Sequence, residues 1–109
     1  MQKVNEKECK YRNGDSGVKY FMRGPKIDWG VILLKPGQAM GEHGHRQVEE
    51  TFYVVEGAPT LIVDGRAIST ATGDVYRLDP PERHDFRNDT SAPARIVFIK
   101  APYLPEDKT

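Results

Sequence analysis

Turn-forming residues interrupt this sequence so often that few stretches between them are long enough for a helix. Ten glycines and eight prolines fall among 109 residues. They cluster in Asn13-Gly14-Asp15, Lys35-Pro36-Gly37, Glu56-Gly57-Ala58-Pro59, Asp64-Gly65, Thr72-Gly73-Asp74 and Asp79-Pro80-Pro81. The runs between these turns are rich in β-branched and aromatic residues and read as strands. The expected strands are Val18–Met22, Trp29–Lys35, Met40–His45, Thr51–Glu56, Thr60–Val63, Arg66–Thr70, Val75–Leu78, Asp85–Asn88 and Arg95–Lys100. Asp64-Gly65 between two apolar runs marks the clearest hairpin, because this pair suits the positive φ values of a type I′ turn. Helical spacing of apolar residues is found only, and marginally, at Arg46–Glu50. Many short strands must cover or remove their edges, which predicts an all-β sandwich or barrel.

Length and charge bound the function. A chain of this size supports one domain over residues 1–109, with a core over about 29–100. The polar ends, Met1–Lys10 and Pro102–Thr109, are expected to be loosely held or used in oligomer contacts. Sixteen basic and sixteen acidic residues leave no net charge, so the chain lacks the electrostatic footprint of a nucleic-acid binder. Cys9 alone cannot form an intrachain disulfide. The start of the sequence has no apolar signal segment, and the run Val31–Leu34 is far short of the ~20 residues a membrane helix needs. A cytoplasmic protein with no membrane role is expected.

The three histidines carry the chemistry. His43 and His45 stand two apart, which on a strand puts both imidazoles on one face with α-carbons about 6.6 Å apart. Both could then meet one ion at about 2.0–2.2 Å. Glu49 and Glu50 open the next strand and could bring a carboxylate to the same point. Pleat alternation favours Glu50, which shares a face with Phe52 and Val54, and leaves Glu49 in reserve. His84 follows the Pro80-Pro81 turn at the start of another strand.

These residues match a family. Gly37-x5-His43-x-His45-x4-Glu50-x6-Gly57 resembles the first cupin motif, and Gly73-Asp74 through Pro80, His84 and Asn88 resembles the second. Asp79 and Pro81 stand where the second motif usually has Pro and Gly. The resemblance implies a double-stranded β-helix, or jelly-roll barrel, with one metal held by His43, His45, Glu50 and His84. Three imidazoles and a carboxylate suit a divalent Mn, Fe, Ni, Co, Cu or Zn ion rather than Mg or Ca. No thiolate accompanies them, which argues against a purely structural staple.

Trp29, Ile32, Leu33, Tyr53, Tyr76, Phe86 and Phe98 are expected in the core. Phe86, two residues after His84, is also expected to line the cup, with Met40 a further candidate. Arg77 and Arg95 lie on strands and could anchor a substrate carboxylate. No phosphate loop or Ser-His-Asp arrangement is evident, so catalysis would run through the metal. Small metal-binding cupins include dioxygenases, decarboxylases, isomerases and lyases. The resemblance therefore implies a metal-dependent enzyme acting on a small oxygen-rich or carbonyl-containing molecule, with a non-catalytic binder of a sugar or effector as the alternative. A homodimer is expected, since a small barrel gains from burying further surface.

Overall fold

The computed structural model describes residues 1–109. It contains eight strands: β1 (Gly17–Arg23), β2 (Asp28–Leu34), β3 (Glu49–Glu56), β4 (Thr60–Val63), β5 (Arg66–Ser69), β6 (Val75–Leu78), β7 (His84–Arg87) and β8 (Ala94–Ala101). They form a five-stranded sheet in the order β1-β2-β8-β3-β6 and a three-stranded sheet in the order β5-β4-β7. Every pairing in both sheets is antiparallel. This is the all-β, double-stranded β-helix arrangement. No helix is long and apolar enough to cross a membrane.

The alternation of side chains produces the core. Inward positions Ile32 and Leu34 on β2, Phe52 on β3, Leu78 on β6, and Ala94, Ile96 and Phe98 on β8 pack against Leu61 and Phe86 from the smaller sheet. Phe52 and Phe86 are fully buried, with ring centroids 4.9 Å apart in an edge-to-face arrangement. Two glycines serve this geometry. Asp64 and Gly65 take φ values of 47° and 82°, the positive pair that a type I′ hairpin between β4 and β5 demands. At Gly30, a Cβ would lie 1.9 Å from the Lys19 carbonyl oxygen, so only glycine permits the close approach of β1 and β2 beside the bulge at Tyr20/Met22.

Several expectations are corrected. Met40–His45 is not a strand but an extended segment with isolated bridges at Ala39↔Arg87 and His43↔His84. Gly41 has a φ of 101°, and the amides of Met40 and Gly41 both donate to the Asp85 carboxylate, at 3.1 and 2.9 Å. Regular pairing is therefore broken between the two bridges. Arg46–Val48 is not helical, because its amides donate to the Asp107 carboxylate at 2.8–2.9 Å. Tyr53 is 45% exposed, since it alternates with Phe52 onto the outer face of β3. Parts of both ends are held by the barrel. A 3-10 turn at Glu6–Glu8 places Glu6 against Arg95 and Lys19. At the other end, Thr109 exchanges backbone hydrogen bonds with Gly44, at 2.8 and 3.1 Å.

Candidate metal centre

Four side chains from three parts of the chain converge at one end of the barrel. His43 lies opposite His84 in an isolated bridge whose two backbone bonds measure 3.0 and 2.8 Å. Their rings are consequently only 4.4 Å apart. His45 follows two residues later, and Glu50 enters from the inner face at the start of β3. One ligand atom from each of the four lies within 4.8 Å of the others. That is close to the ~4.4 Å separating two donors on opposite sides of one ion. Glu50, His84 and His45 are 3%, 1% and 6% exposed, so the group is largely withdrawn from water.

The hydrogen bonds around the imidazoles orient them. His43 Nδ1 donates to the Gly41 carbonyl at 2.9 Å and His45 Nδ1 to the Asp107 carbonyl at 2.5 Å. A proton held on Nδ1 leaves Nε2 with a free lone pair, the usual arrangement of metal-binding histidines. Glu50 Oε1 lies 3.1 Å from Nε2 of both His45 and His84. Between a carboxylate and the bare Nε2 of His45, lone pair faces lone pair. Such a contact is favourable only with a proton or a cation between the atoms, and the donor set fits a borderline transition-metal ion. His84 Nδ1 is buried without a hydrogen-bond partner.

Electrostatics agree with this reading. Burial raises the cost of charge on Glu50. Hydrogen bonds from His45 and His84 outweigh it, with the fields of His84 and Lys100 helping, and lower its pKa from 4.5 to about 2. Burial also opposes charge on His45, yet its bonds to Glu50 and Asp107 raise its pKa above 6.5. Burial dominates at His43 and lowers its pKa, against the pull of the Gly41 carbonyl.

The remaining sequence candidates are distributed differently. Glu49 faces outward, with a side chain 47% exposed and 3.8 Å from Arg77. The same parity that turns Glu50 inward therefore removes Glu49 from the cluster. Arg77 is on the outer face, 66% exposed, between Glu49 and Asp79. Arg95 is also on the outer face, bonded to Glu6 at 2.7 Å. Neither arginine reaches the cavity. Phe86 does not line it either; it packs in the core against Phe52, whose ring lies 5.5 Å from that of His84. Met40 does line the cavity, which has a volume of about 190 Å³ and opens beside His43, His45 and Glu50.

Sequence reasoning missed the segment 104–108, which contributes Leu104, Pro105, Asp107 and Lys108 to the cavity wall. It also missed Tyr20 and Lys100, which line the same space. The alternation Ala94, Ile96, Phe98, Lys100 on β8 was the available signal, since it puts Lys100 on the apolar face of its strand.

Comparison with known proteins agrees with the geometry. The family model for the cupin domain matches residues 30–100, and the chain belongs to the cupin family. It is 34% identical over 77 residues to polyketide synthase CurC of Streptomyces cyaneus, covering 71% of this chain and 50% of that protein. It is 36% identical over 76 residues to protein SchB of Streptomyces halstedii, covering 70% and 55%. The chain thus spans about half the length of the curated relatives it matches. Among solved structures, a Klebsiella pneumoniae protein with a double-stranded β-helix domain superposes with a TM-score of 0.85 at 20% identity, covering 100% of this chain and 96% of the other. A sugar phosphate isomerase of the cupin superfamily from Silicibacter pomeroyi superposes with a TM-score of 0.74 at 22% identity, covering 92% and 75%. At these identities the structural likenesses establish the fold.

Proposed function

We propose that this cupin is a metal-dependent enzyme that holds one divalent transition ion through His43, His45, Glu50 and His84. Its substrate is a small oxygen-rich or carbonyl-containing molecule. The observation that carries this reading is the convergence of three imidazoles and one carboxylate beside an open cavity. Polyketides and sugar phosphates, named for relatives and neighbours of this chain, are both oxygen-rich, which supports the substrate class.

When bound, the ion supplies Lewis-acid polarisation of a substrate oxygen. The chain's own residues do the rest. The Gly41 and Asp107 carbonyls hold the Nδ1 protons of His43 and His45, and Glu50 stays ionised at any pH near neutrality. Phe52 and Phe86 close the space behind His84 against water.

One observation favours the binding-module alternative. Each acid lining the cavity is already engaged: Asp28 by Arg23, Glu50 by histidines and Asp107 by backbone amides. No carboxylate is left free as a general acid or base. A turnover screen of small hydroxy- and oxo-compounds, in air and under nitrogen, separates the readings. Turnover that a chelator abolishes and added metal restores supports the enzyme. Ligand binding without turnover of any compound supports the module.

The proposal includes a homodimer. Tyr53, Val55, Val75 and Ile99 are 45%, 41%, 62% and 38% exposed on the outer face of the five-stranded sheet, and Tyr53 pairs with Val75. A second copy seated there would bury this apolar group. Light scattering at micromolar concentration should give twice the chain mass, and Val75→Asp should halve it. A monomeric wild type would exclude the dimer.

A further inference from the structure

One wall of the cavity carries a cation that no carboxylate of the protein touches. Lys100 lies directly opposite Glu50 in the β3–β8 register, so it enters the barrel on the same inner face. Its ammonium donates to the Tyr20 hydroxyl at 2.9 Å and lies 5.1 and 5.6 Å from the ring centroids of Tyr20 and Phe98. No carboxylate comes within 4.0 Å of it, Glu50 being engaged by the two histidines instead. An ammonium has three donors, so Lys100 keeps donors to spare. The Tyr20 hydroxyl, having accepted from Lys100, keeps its own proton to donate. Its ring is fixed by Arg23 stacked at 3.9 Å and by an edge contact with Phe98 at 5.3 Å. Both donors therefore stand on a rigid wall.

The other charges sharpen the contrast. The charge of Arg23 is balanced by Asp28 through two bonds of 3.1 and 2.9 Å, and Asp107 is occupied by three backbone amides. Arg12 and Lys108 stand exposed around the opening and, like Lys100, have no carboxylate partner. Every acid lining the cavity is engaged and three of its cations are not. Lys100 acts on Glu50 through its field alone, and its direct contact is with the Tyr20 hydroxyl.

We propose that Lys100 and Tyr20 form an anion subsite, and that the ligand of this cavity is a small carboxylic acid bearing a hydroxyl or carbonyl oxygen next to its carboxylate. The carboxylate is held by the Lys100 ammonium and the Tyr20 hydroxyl, with Arg12 and Lys108 attracting it to the opening. The neighbouring oxygen faces the histidine–glutamate cluster. The cavity volume of about 190 Å³ is below the range of roughly 300 Å³ and more typical of drug-sized ligands, so the acid is small. Only the placement of the second oxygen rests on the proposed metal centre. The carboxylate subsite stands without it.

Calorimetric titration with lactate and with its neutral amide, lactamide, on metal-loaded and metal-free protein tests this. Lactate should bind at least about tenfold more tightly than lactamide, as expected for a charge-assisted contact. Lys100→Met should lose that preference while keeping the wild-type metal content, and Lys100→Arg should retain most of it. Tyr20→Phe, which leaves the charge unchanged, should weaken lactate binding several-fold and carries the test should Lys100→Met fail to fold. Equal binding of acid and amide, or a preference that survives both Lys100→Met and Tyr20→Phe, overturns the subsite. A Lys100-dependent lactate preference in a protein that takes up no metal upholds the subsite and overturns the metal centre instead.

Discussion

The inner face of the five-stranded sheet has two ends of opposite character. On β3 the inward residues run Glu50, Phe52, Val54, and on β8 they run Ala94, Ile96, Phe98, Lys100. On β2 they run Asp28, Gly30, Ile32, Leu34. One end of each strand is apolar and the other carries a charge, and the register aligns the charged ends as Asp28↔Lys100↔Glu50. The apolar end is satisfied by burial alone. The charged end is not, because a buried charge needs a partner, and here the partners are two histidines for Glu50, a tyrosine for Lys100 and Arg23 for Asp28. One end therefore holds the barrel together, while the other holds groups whose valences a ligand completes.

The largest expected effect is at the apolar end. Phe52→Ala should destabilise by about 3–5 kcal/mol, the cost of removing a fully buried aromatic ring. Chemical denaturation checks this. If the loss proves negligible, the division between a stabilising end and a functional end fails.

Asp107→Ala should act on the other end. It removes the acceptor of the Arg46, Gln47 and Val48 amides and frees the segment whose carbonyl orients His45. Metal affinity should fall about 10–100-fold, as for other groups that orient ligands indirectly. Competition against a calibrated chelator measures it. Unchanged affinity would mean that residues 104–109 cover the cavity without organising it.

A smaller effect should appear as a pH dependence of the metal-free protein. His45 has a folded pKa raised above 6.5, so the stability it contributes is complete below 6.5 and is lost as pH rises through the higher folded value. Glu50, lowered from 4.5 to about 2, contributes above 4.5 and loses that contribution as pH falls towards about 2. The pair therefore stabilises most between 4.5 and 6.5. Burial-lowered His43 opposes this below 6.5, so Tm measured against pH after chelation should peak in that window in a His43→Gln variant. Metal loading should remove the loss on the alkaline side, because the ion takes the place of the proton between His45 and Glu50. A flat apo profile would show that the two groups are not coupled.

The smallest effect is expected outside the barrel. Arg77→Ala, on a side chain 66% exposed, should change stability by no more than about 0.5 kcal/mol and leave ligand binding as it was. A clear binding defect would bring the outer face into the site.

The contrast between the two ends also explains what the sequence disclosed. Alternation made the apolar end readable, and it correctly turned Glu50 inward and Glu49 outward. Asp64-Gly65 announced its hairpin because few residues tolerate those φ values. The cup was less legible. Phe86 shares a face with His84, as expected, but which phenylalanine lines the cavity depends on packing across sheets, and Phe98 takes that place. Arg77 and Arg95 looked like anchors by residue type, yet parity puts both outside. Lys100 had the right parity and could be matched to Glu50 only once β3 and β8 were known to pair. Asp107 gave no local signal, since its three amide partners lie 59–61 residues away in the chain.

The central claim is that His43, His45, Glu50 and His84 hold one ion. Elemental analysis of the purified, metal-loaded protein alongside a folded His45→Ala variant tests it most directly. The account predicts about one transition-metal ion per chain in the wild type and a large loss in the variant. A variant that keeps its full metal content, or a wild type that takes up none, would contradict it.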